Sequence, residues 1–284
     1  MREVLSVDIG GSYAKIAVVG ENGKVELVRK IKTGYDSEPS VVLKKIKKIA
    51  ESKRLPIAIA IAGAVDKGVI KDNPNLPKWA FFDLNSYFNN VIIENDANAA
   101  AFAEWFWKER NTKILVCLTI GTGIGSGVII NGEIYKGRGA ASEIGHMVID
   151  YKGKPCRCGN FGCFETLGSS QFIERRTMEE FGEKISPKEL AKLALNQNEK
   201  AIEIFNELGR NIGIGLSNIS NIFDPELIVL AGGITKSYEL FKDAMFEEYE
   251  KRVLKATRTK IKKSELGELA GVLGVAALYF TEKF

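Results

Sequence analysis

The stretch VDIGGSYAKIAVV (7–19) returns in altered form as LTIGTGIGSGVII (118–130). Each time an apolar run breaks at closely spaced glycines, resumes, and leads to an Asn-Gly dipeptide, Asn22-Gly23 and then Asn131-Gly132. From Gly10 to Gly121 the offset is 111, and from Asn22 to Asn131 it is 109, so the second hairpin is two residues shorter. Asn-Gly between apolar runs favours the tight turn whose twist matches two antiparallel strands. Two copies of strand, Gly turn, strand, hairpin and strand, each followed by helices, predict a duplicated α/β fold in two lobes.

The remaining pattern fills in that plan. Strands are expected at 4–9, 14–19 and 25–32, then a helix over 37–53 with Ser37 or Ser40 as its cap. A buried strand at 56–66 runs into a Gly turn, and a strand at 91–96 leads into an Ala-rich helix at 97–110. The second copy occupies 113–130, followed by helices over about 166–223, a strand at 226–233, and helices near 237–255 and 268–282. The expected division is 1–110 for the first lobe, with the C-terminal helix (about 268–284) packing back on it, and 111–267 for the second.

With 284 residues the chain can bury a sizeable core. Its net charge of +4 is spread along the sequence. The densest basic run, KRVLKATRTKIKK (251–263), is interrupted by apolar residues and reads as a helix end and a strand face, so no nucleic-acid partner is expected. No apolar run reaches membrane-spanning length and the N-terminus enters a strand directly, so neither a membrane partner nor a signal peptide is expected, and the clustered cysteines make a cytoplasmic location the expectation. Two glutamines point to a thermophilic source, but seventeen asparagines point the other way.

Three of the four cysteines fall within CRCGNFGCFE (156–165). Three thiols cannot pair among themselves, and clustered cysteine in a reducing compartment suits a metal. A tetrahedral site of Cys156, Cys158 and Cys163 needs one more ligand. Cys117 lies in an apolar strand, where a buried thiol needs no further explanation. His146, the sole histidine, is the better fourth ligand, and it closes a Cys₃His zinc site within 146–165. A closed site is structural.

A Gly turn between strands leaves backbone N–H groups for phosphate. Gly10, Gly11 and Ser12 form one such turn and Gly121, Thr122 and Gly123 the other; in a duplicated fold they could face one polyphosphate across a cleft. Asp8, just before the first turn, either holds Mg²⁺, directly or through water, or caps the turn. Gly232-Gly233 follows an apolar strand, where a nucleotide's base or ribose could lie close to backbone. Asp96 heads the Ala-rich helix and is read in two ways, as its N-cap or as a general base with Asn95 orienting a substrate. Spacing does not choose between them.

DIGGS (8–12), AIAGAVD (60–66), ENDANAA (94–100), GTGIGSG (121–127), EIGHM (143–147), CRCGNFGCFE (156–165) and LAGGI (230–234) together resemble the ROK family (repressors, open reading frames, kinases), and within it the glucokinase-like, zinc-containing sugar kinases. The resemblance implies the actin/hexokinase/Hsp70-like (ribonuclease H-like) ATPase fold with a cleft between two lobes. It implies ATP-dependent phosphorylation of the 6-hydroxyl of glucose or a close aldohexose, a step of glycolytic carbohydrate metabolism, by a homodimer using ATP, Mg²⁺ and structural Zn²⁺. Asp96 would be the general base. Asn95, Glu143, His146 and Glu165 would bind sugar hydroxyls, with Gly63 and Asn75 lining the pocket. The two Gly turns would cradle phosphates, Asp8 would reach Mg²⁺ through water, and Gly232-Gly233 would border the adenosine.

Two alternatives stand beside this. One is a kinase for N-acetylglucosamine or N-acetylmannosamine. The other is a non-catalytic sugar sensor, whose relatives carry a helix-turn-helix ahead of the fold; with a first strand expected by about residue 3, this reading is the less expected one. Departures from the family pattern are Ser12 and Tyr13 where Thr and often Lys stand, Ala62 for Pro, and AAS before Glu143 where Gly is usual.

Overall fold

The strand and helix pattern folds into two five-stranded sheets of matching order and a small two-stranded sheet, in a computed structural model that describes residues 1–73, 75–88 and 90–282. Along the chain run β1 (Glu3–Ile9), β2 (Tyr13–Gly20), β3 (Val25–Lys32), α1 (Pro39–Lys53), β4 (Ile57–Ile61), β5 (Ala64–Asp66), β6 (Val69–Asp72), β7 (Ile92–Asn95) and α2 (Asp96–Lys108). There follow β8 (Ile114–Ile120), β9 (Ile124–Ile130), β10 (Glu133–Ile134), α3 (Phe164–Gly168), α4 (Ser170–Phe181), α5 (Pro187–Leu195) and α6 (Glu199–Phe223). Then come β11 (Leu227–Ala231), α7 (Tyr238–Arg252), β12 (Lys260–Lys263) and α8 (Ala270–Thr281). The first five-stranded sheet is ordered β3-β2-β1-β4-β7 and the second β10-β9-β8-β11-β12, while β5 and β6 form the small one. In each five-stranded sheet, a meander supplies three strands and crossovers supply two parallel ones, β4 and β7 in the first and β11 and β12 in the second. The duplication expected from the glycine turns is therefore present. The third strand of the second copy has shrunk to two residues.

Two compact units are formed: one from Met1–Thr112, Gly127–Ser142 and the segment from Leu266 onward, the other from Lys113–Ser126 and Glu143–Glu265. The C-terminal segment expected at about 268–284 is helical over Ala270–Thr281; residues 283 and 284 lie outside those described.

In the first unit, strand alternation sorts large from small side chains. Ile59 and Ile61 join Leu5, Val7, Ile9 and Ile16 against Val42, Leu43 and Ile46 of α1. Ala58 and Ala60 join Val4 and Ala17 against Ala99 and Ala103 of α2 and Val272, Val275 and Ala276 of α8. Small side chains on this face let α2 and α8 lie close. A Cβ on Gly274 would stand 1.9 Å from the Ala99 carbonyl oxygen, so only glycine fits. Neither Ser37 nor Ser40 caps α1. Glu38 holds the cap position without a side-chain bond, and Pro39 supplies a pre-set φ in the first turn.

In the second unit, β11 pairs in parallel with both β8 and β12. Helix α3 is short, and it is fixed by fully buried Phe164 and by the Asn211 amide of α6 donating to the Leu167 carbonyl at 3.0 Å. Arg176 of α4 grips Glu207 of α6 through two hydrogen bonds of 2.7 and 3.0 Å. Glu165 is thus carried on a well-anchored element. The basic run 251–263 is the end of α7 and strand β12, as its interrupted pattern predicts.

Candidate functional site

The first glycine turn links β1 to β2. Gly10 N–H donates to the Tyr13 carbonyl at 3.1 Å. Thr33, just past β3, donates its N–H to the Ser12 carbonyl (2.9 Å) and its hydroxyl to the Gly10 carbonyl (2.7 Å). One threonine thus takes two of the turn's acceptors, which leaves a segment better suited to anions than to cations. Asn75 packs on this turn, its Cβ 3.1 Å from where a Gly11 Cβ would stand. Asp8 on β1 is mostly buried, and that burial pushes its carboxyl above the usual carboxylate range, against the pull of Lys15.

Gly63 follows β4 with φ of 98°, and a Cβ there would lie 2.3 Å from the Asp72 carbonyl oxygen. Buried Asn73 secures the loop, donating to the Ala62 carbonyl (2.6 Å) and accepting from Leu76 N–H (3.0 Å). The Gly63 carbonyl accepts from the Asn95 amide at 2.9 Å. Asn95 Oδ1 in turn accepts from Ala97 and Asn98 N–H, at 2.9 and 3.0 Å. The N-cap of α2 is therefore Asn95, and the capping reading of Asp96 is corrected. Asp96 is the first residue of the helix, where the macrodipole favours a carboxylate. Below them, Glu94 Oε1 accepts from Asn95 N–H (2.9 Å) and the Asn98 amide (3.1 Å), and Glu94 Oε2 meets the Lys136 ammonium at 2.6 Å. The first unit so brings Gly63, Asn95 and Asp96 together on bonded backbone.

The second unit repeats the turn device with different residues. The Gly121 carbonyl accepts from Ser170 N–H (2.9 Å), and the Thr122 carbonyl from the Ser169 hydroxyl (3.0 Å) and the Gln171 amide (2.9 Å). Glu165 Oε2 comes within 2.4 Å of where a Gly123 Cβ would stand. Gly232 takes φ of 93°, and a Cβ there would be 2.4 Å from the Ile120 carbonyl oxygen, while Gly233 faces open space. Gly121–Gly123, Gly232 and Glu165 thus adjoin.

The cysteine loop closes on His146, which sits in the single turn Ile144–His146. The ligand atoms of His146, Cys156, Cys158 and Cys163 all lie within 4.8 Å of one another. Cys158 and Cys163 Sγ are 3.6 Å apart, as are Cys156 Sγ and His146 Nδ1. Zn–S bonds of about 2.3 Å put neighbouring tetrahedral ligands about 3.8 Å apart, so the four atoms fit the ion. Cys117 is buried in β8 opposite Val229 and takes no part. Burial pushes the Cys156 and Cys163 thiols up, while the Asn160 N–H holds Cys158 down. His146 presents Nδ1 to the cluster and Nε2 toward Glu143, 4.0 Å from its Oε2. The Cys156 thiol donates to Glu165 Oε1 at 3.1 Å.

Ser142, before Glu143, has φ of 69°, a left-handed conformation that a β-carbon disfavours. Glycine at this place removes that cost. Ser142→Gly is expected to stabilise the protein by about 0.5–1 kcal/mol, net of the looser unfolded chain. Urea unfolding checks this; an unchanged or lower midpoint would refute the strain.

Sequence reasoning missed Thr33, Asn73, Ser169 and the Glu94–Lys136 pair. Each acts on a partner distant in sequence, and no local signal marks it.

A ROK family profile matches residues 4–282. The chain is 28% identical to a glucokinase of Thermotoga maritima, over 97% of this chain and 96% of that one. It is 34% identical to a xylose repressor of Bacillus subtilis, over 78% of this chain and 60% of the repressor. A ROK family glucokinase from Streptomyces griseus, solved with glucose and AMPPNP, superposes with a TM-score of 0.81 at 27% identity, over 97% of this chain and 98% of that one. The fold is the α/β actin-like ATPase fold of those proteins. No helix among the described residues is long and apolar enough to cross a membrane.

Proposed function

Because the chain belongs to the ROK family, we propose that it is an ATP-dependent hexose kinase acting on the 6-hydroxyl of glucose or a close aldohexose. The observation that carries this reading is the division of labour at the head of α2. Asn95 caps the helix, and Asp96 heads its first turn, where its Oδ1 also accepts from Ala97 N–H at 2.9 Å and the carboxylate serves as general base in this reading.

In the reaction, the Asp96 carboxylate accepts the proton of the sugar 6-hydroxyl. The sugar oxygen forms its bond to the γ-phosphorus as the bond to the β-phosphate oxygen breaks, releasing ADP. Asp8 would hold a magnesium ion, which would supply charge neutralisation at the phosphates. Asn95 keeps one amide hydrogen for the sugar, its other amide hydrogen being held by the Gly63 carbonyl. In this reading the sugar-binding residues are Gly63 and Asn75 in the first unit and Glu143, His146 and Glu165 in the second. The phosphate-binding turn of the first unit is then Gly10–Ser12, that of the second is Gly121–Gly123, and Gly232-Gly233 borders the adenosine.

His146, Cys156, Cys158 and Cys163 would hold zinc. That leaves His146 Nε2 for the sugar and fixes the ring's tautomer. The resemblance further implies a homodimer.

Two other readings have support among the relatives: an N-acetylmannosamine kinase, as named for a Listeria monocytogenes protein, and a repressor-type sensor, as named for the Bacillus one. ADP release with Mg·ATP, measured across glucose, mannose, glucosamine, fructose, N-acetylglucosamine and N-acetylmannosamine, separates them. Preference for glucose or mannose supports the hexose kinase. Preference for an acetylated sugar moves the substrate, and sugar binding without ADP release favours the sensor.

A further inference from the structure

Lys15 lies on β2, three residues past the end of the first glycine turn. It stands opposite Asp8 in the β1–β2 register, with Nζ 3.6 Å from Asp8 Oδ2. Its ammonium also donates to the Glu268 carbonyl at 3.1 Å, and only 25% of the side chain is exposed. The Glu268 carbonyl takes one of its three N–H groups, and Asp8 is held as an ion pair just beyond hydrogen-bond distance. Tyr13, two residues earlier on the same strand face, is 53% exposed and brings no charge.

Asp8 does not depend on Lys15 alone for its charge. A Cβ on Gly271, the second residue of α8, would lie 2.7 Å from the Asp8 carboxyl carbon, so the carboxylate sits against the first turn of a 12-residue helix. The partial positive charge of that turn favours an anion there. A partly buried ammonium beside an anion already favoured by a helix end has capacity for a second anionic partner.

We propose that Lys15 is a phosphate-binding residue of the nucleotide site, forming with Asp8 a paired positive and negative docking point for a magnesium triphosphate. The inference rests on the kinase reading above and deepens it. Phosphate oxygen takes an N–H of Lys15 that the Glu268 carbonyl does not, and Asp8 would serve the metal side of the ligand. The charge that Tyr13 lacks is thus supplied two residues on, from the strand rather than from the turn.

The test is calorimetric binding of AMPPNP with Mg²⁺, and separately of glucose, to the parent protein and to Lys15→Met, Lys15→Gln and Lys15→Arg. Lys15→Met is expected to weaken AMPPNP·Mg about 10- to 100-fold, Lys15→Arg to recover most of that, and glucose affinity to stay within about twofold throughout. Thermal melting reports whether each variant is folded. Should the Met variant unfold, Lys15→Gln decides, because it keeps a donor for the Glu268 carbonyl without the charge. Neutral variants that bind AMPPNP·Mg like the parent would overturn the inference alone and leave Lys15 as a counter-ion to Asp8. A parent that binds glucose but no AMPPNP·Mg would overturn the kinase reading, and this inference with it.

Discussion

Asp96→Asn is expected to lower turnover by about 10²- to 10⁴-fold while glucose affinity stays nearly unchanged. The amide keeps the shape and the first-turn position but cannot accept the 6-hydroxyl proton. Helix α2 should survive the change, because its end is capped by Asn95 with bonds of 2.9 and 3.0 Å. The loss of the carboxylate at the helix head costs about 0.3–1 kcal/mol of stability, too little to explain a collapse in rate. Steady-state kinetics and glucose calorimetry on the same preparation separate the two effects. Turnover within about tenfold of the parent would remove Asp96 from the role of base. Lost rate together with lost glucose binding would make it a binding residue instead.

Cys163→Ser is expected to release the metal and to weaken glucose binding about 10- to 100-fold without touching the proton-transfer group. Cys163 is fully buried, and its loop carries Glu165 two residues on and aligns His146 through Nδ1. Without the ion, both lose the restraint that aims them. The binding has a predictable acid sensitivity. Zinc takes thiolates and neutral imidazole, so protons compete with it. Burial holds the Cys156 and Cys163 thiols above their usual range, which makes the proton the stronger competitor there. Apparent zinc affinity should therefore rise with pH across the neutral range and fall steeply on acidification. Metal content by plasma emission spectroscopy, with glucose affinity measured before and after chelation, checks both statements. A Cys163→Ser protein with unchanged glucose affinity would show the ion to be remote from sugar binding.

Much of this was legible in the sequence because the signals were local. The glycine turns at Gly10 and Gly121 punctuate apolar runs, and each run became a strand. The cysteine spacing and the sole histidine specified one cluster, with Cys117 discounted by its apolar surroundings, and the four ligand atoms do converge. What the sequence hid depends on long-range partners. Thr33 serves a turn more than twenty residues upstream, and Asn73 bonds a carbonyl eleven residues away. The place of Lys15 opposite Asp8 is set by the β1–β2 register, which sequence spacing alone does not fix. Helix caps were misjudged by one or two positions. Asn95 and Asp96 are both good caps, and only the bond to Gly63 and the start of the backbone ladder distinguish them. At α1 the serines were overridden by Pro39, which starts the helix without a side-chain cap.

The sugar kinase reading is tested most directly by identifying the product. Purified zinc-loaded protein, glucose and Mg·ATP would be followed by phosphorus NMR. The reading predicts one new phosphomonoester on the 6-oxygen of glucose, formed mole for mole with ADP and absent without sugar. ADP appearing with inorganic phosphate instead, or no turnover with any hexose or amino sugar, would contradict it.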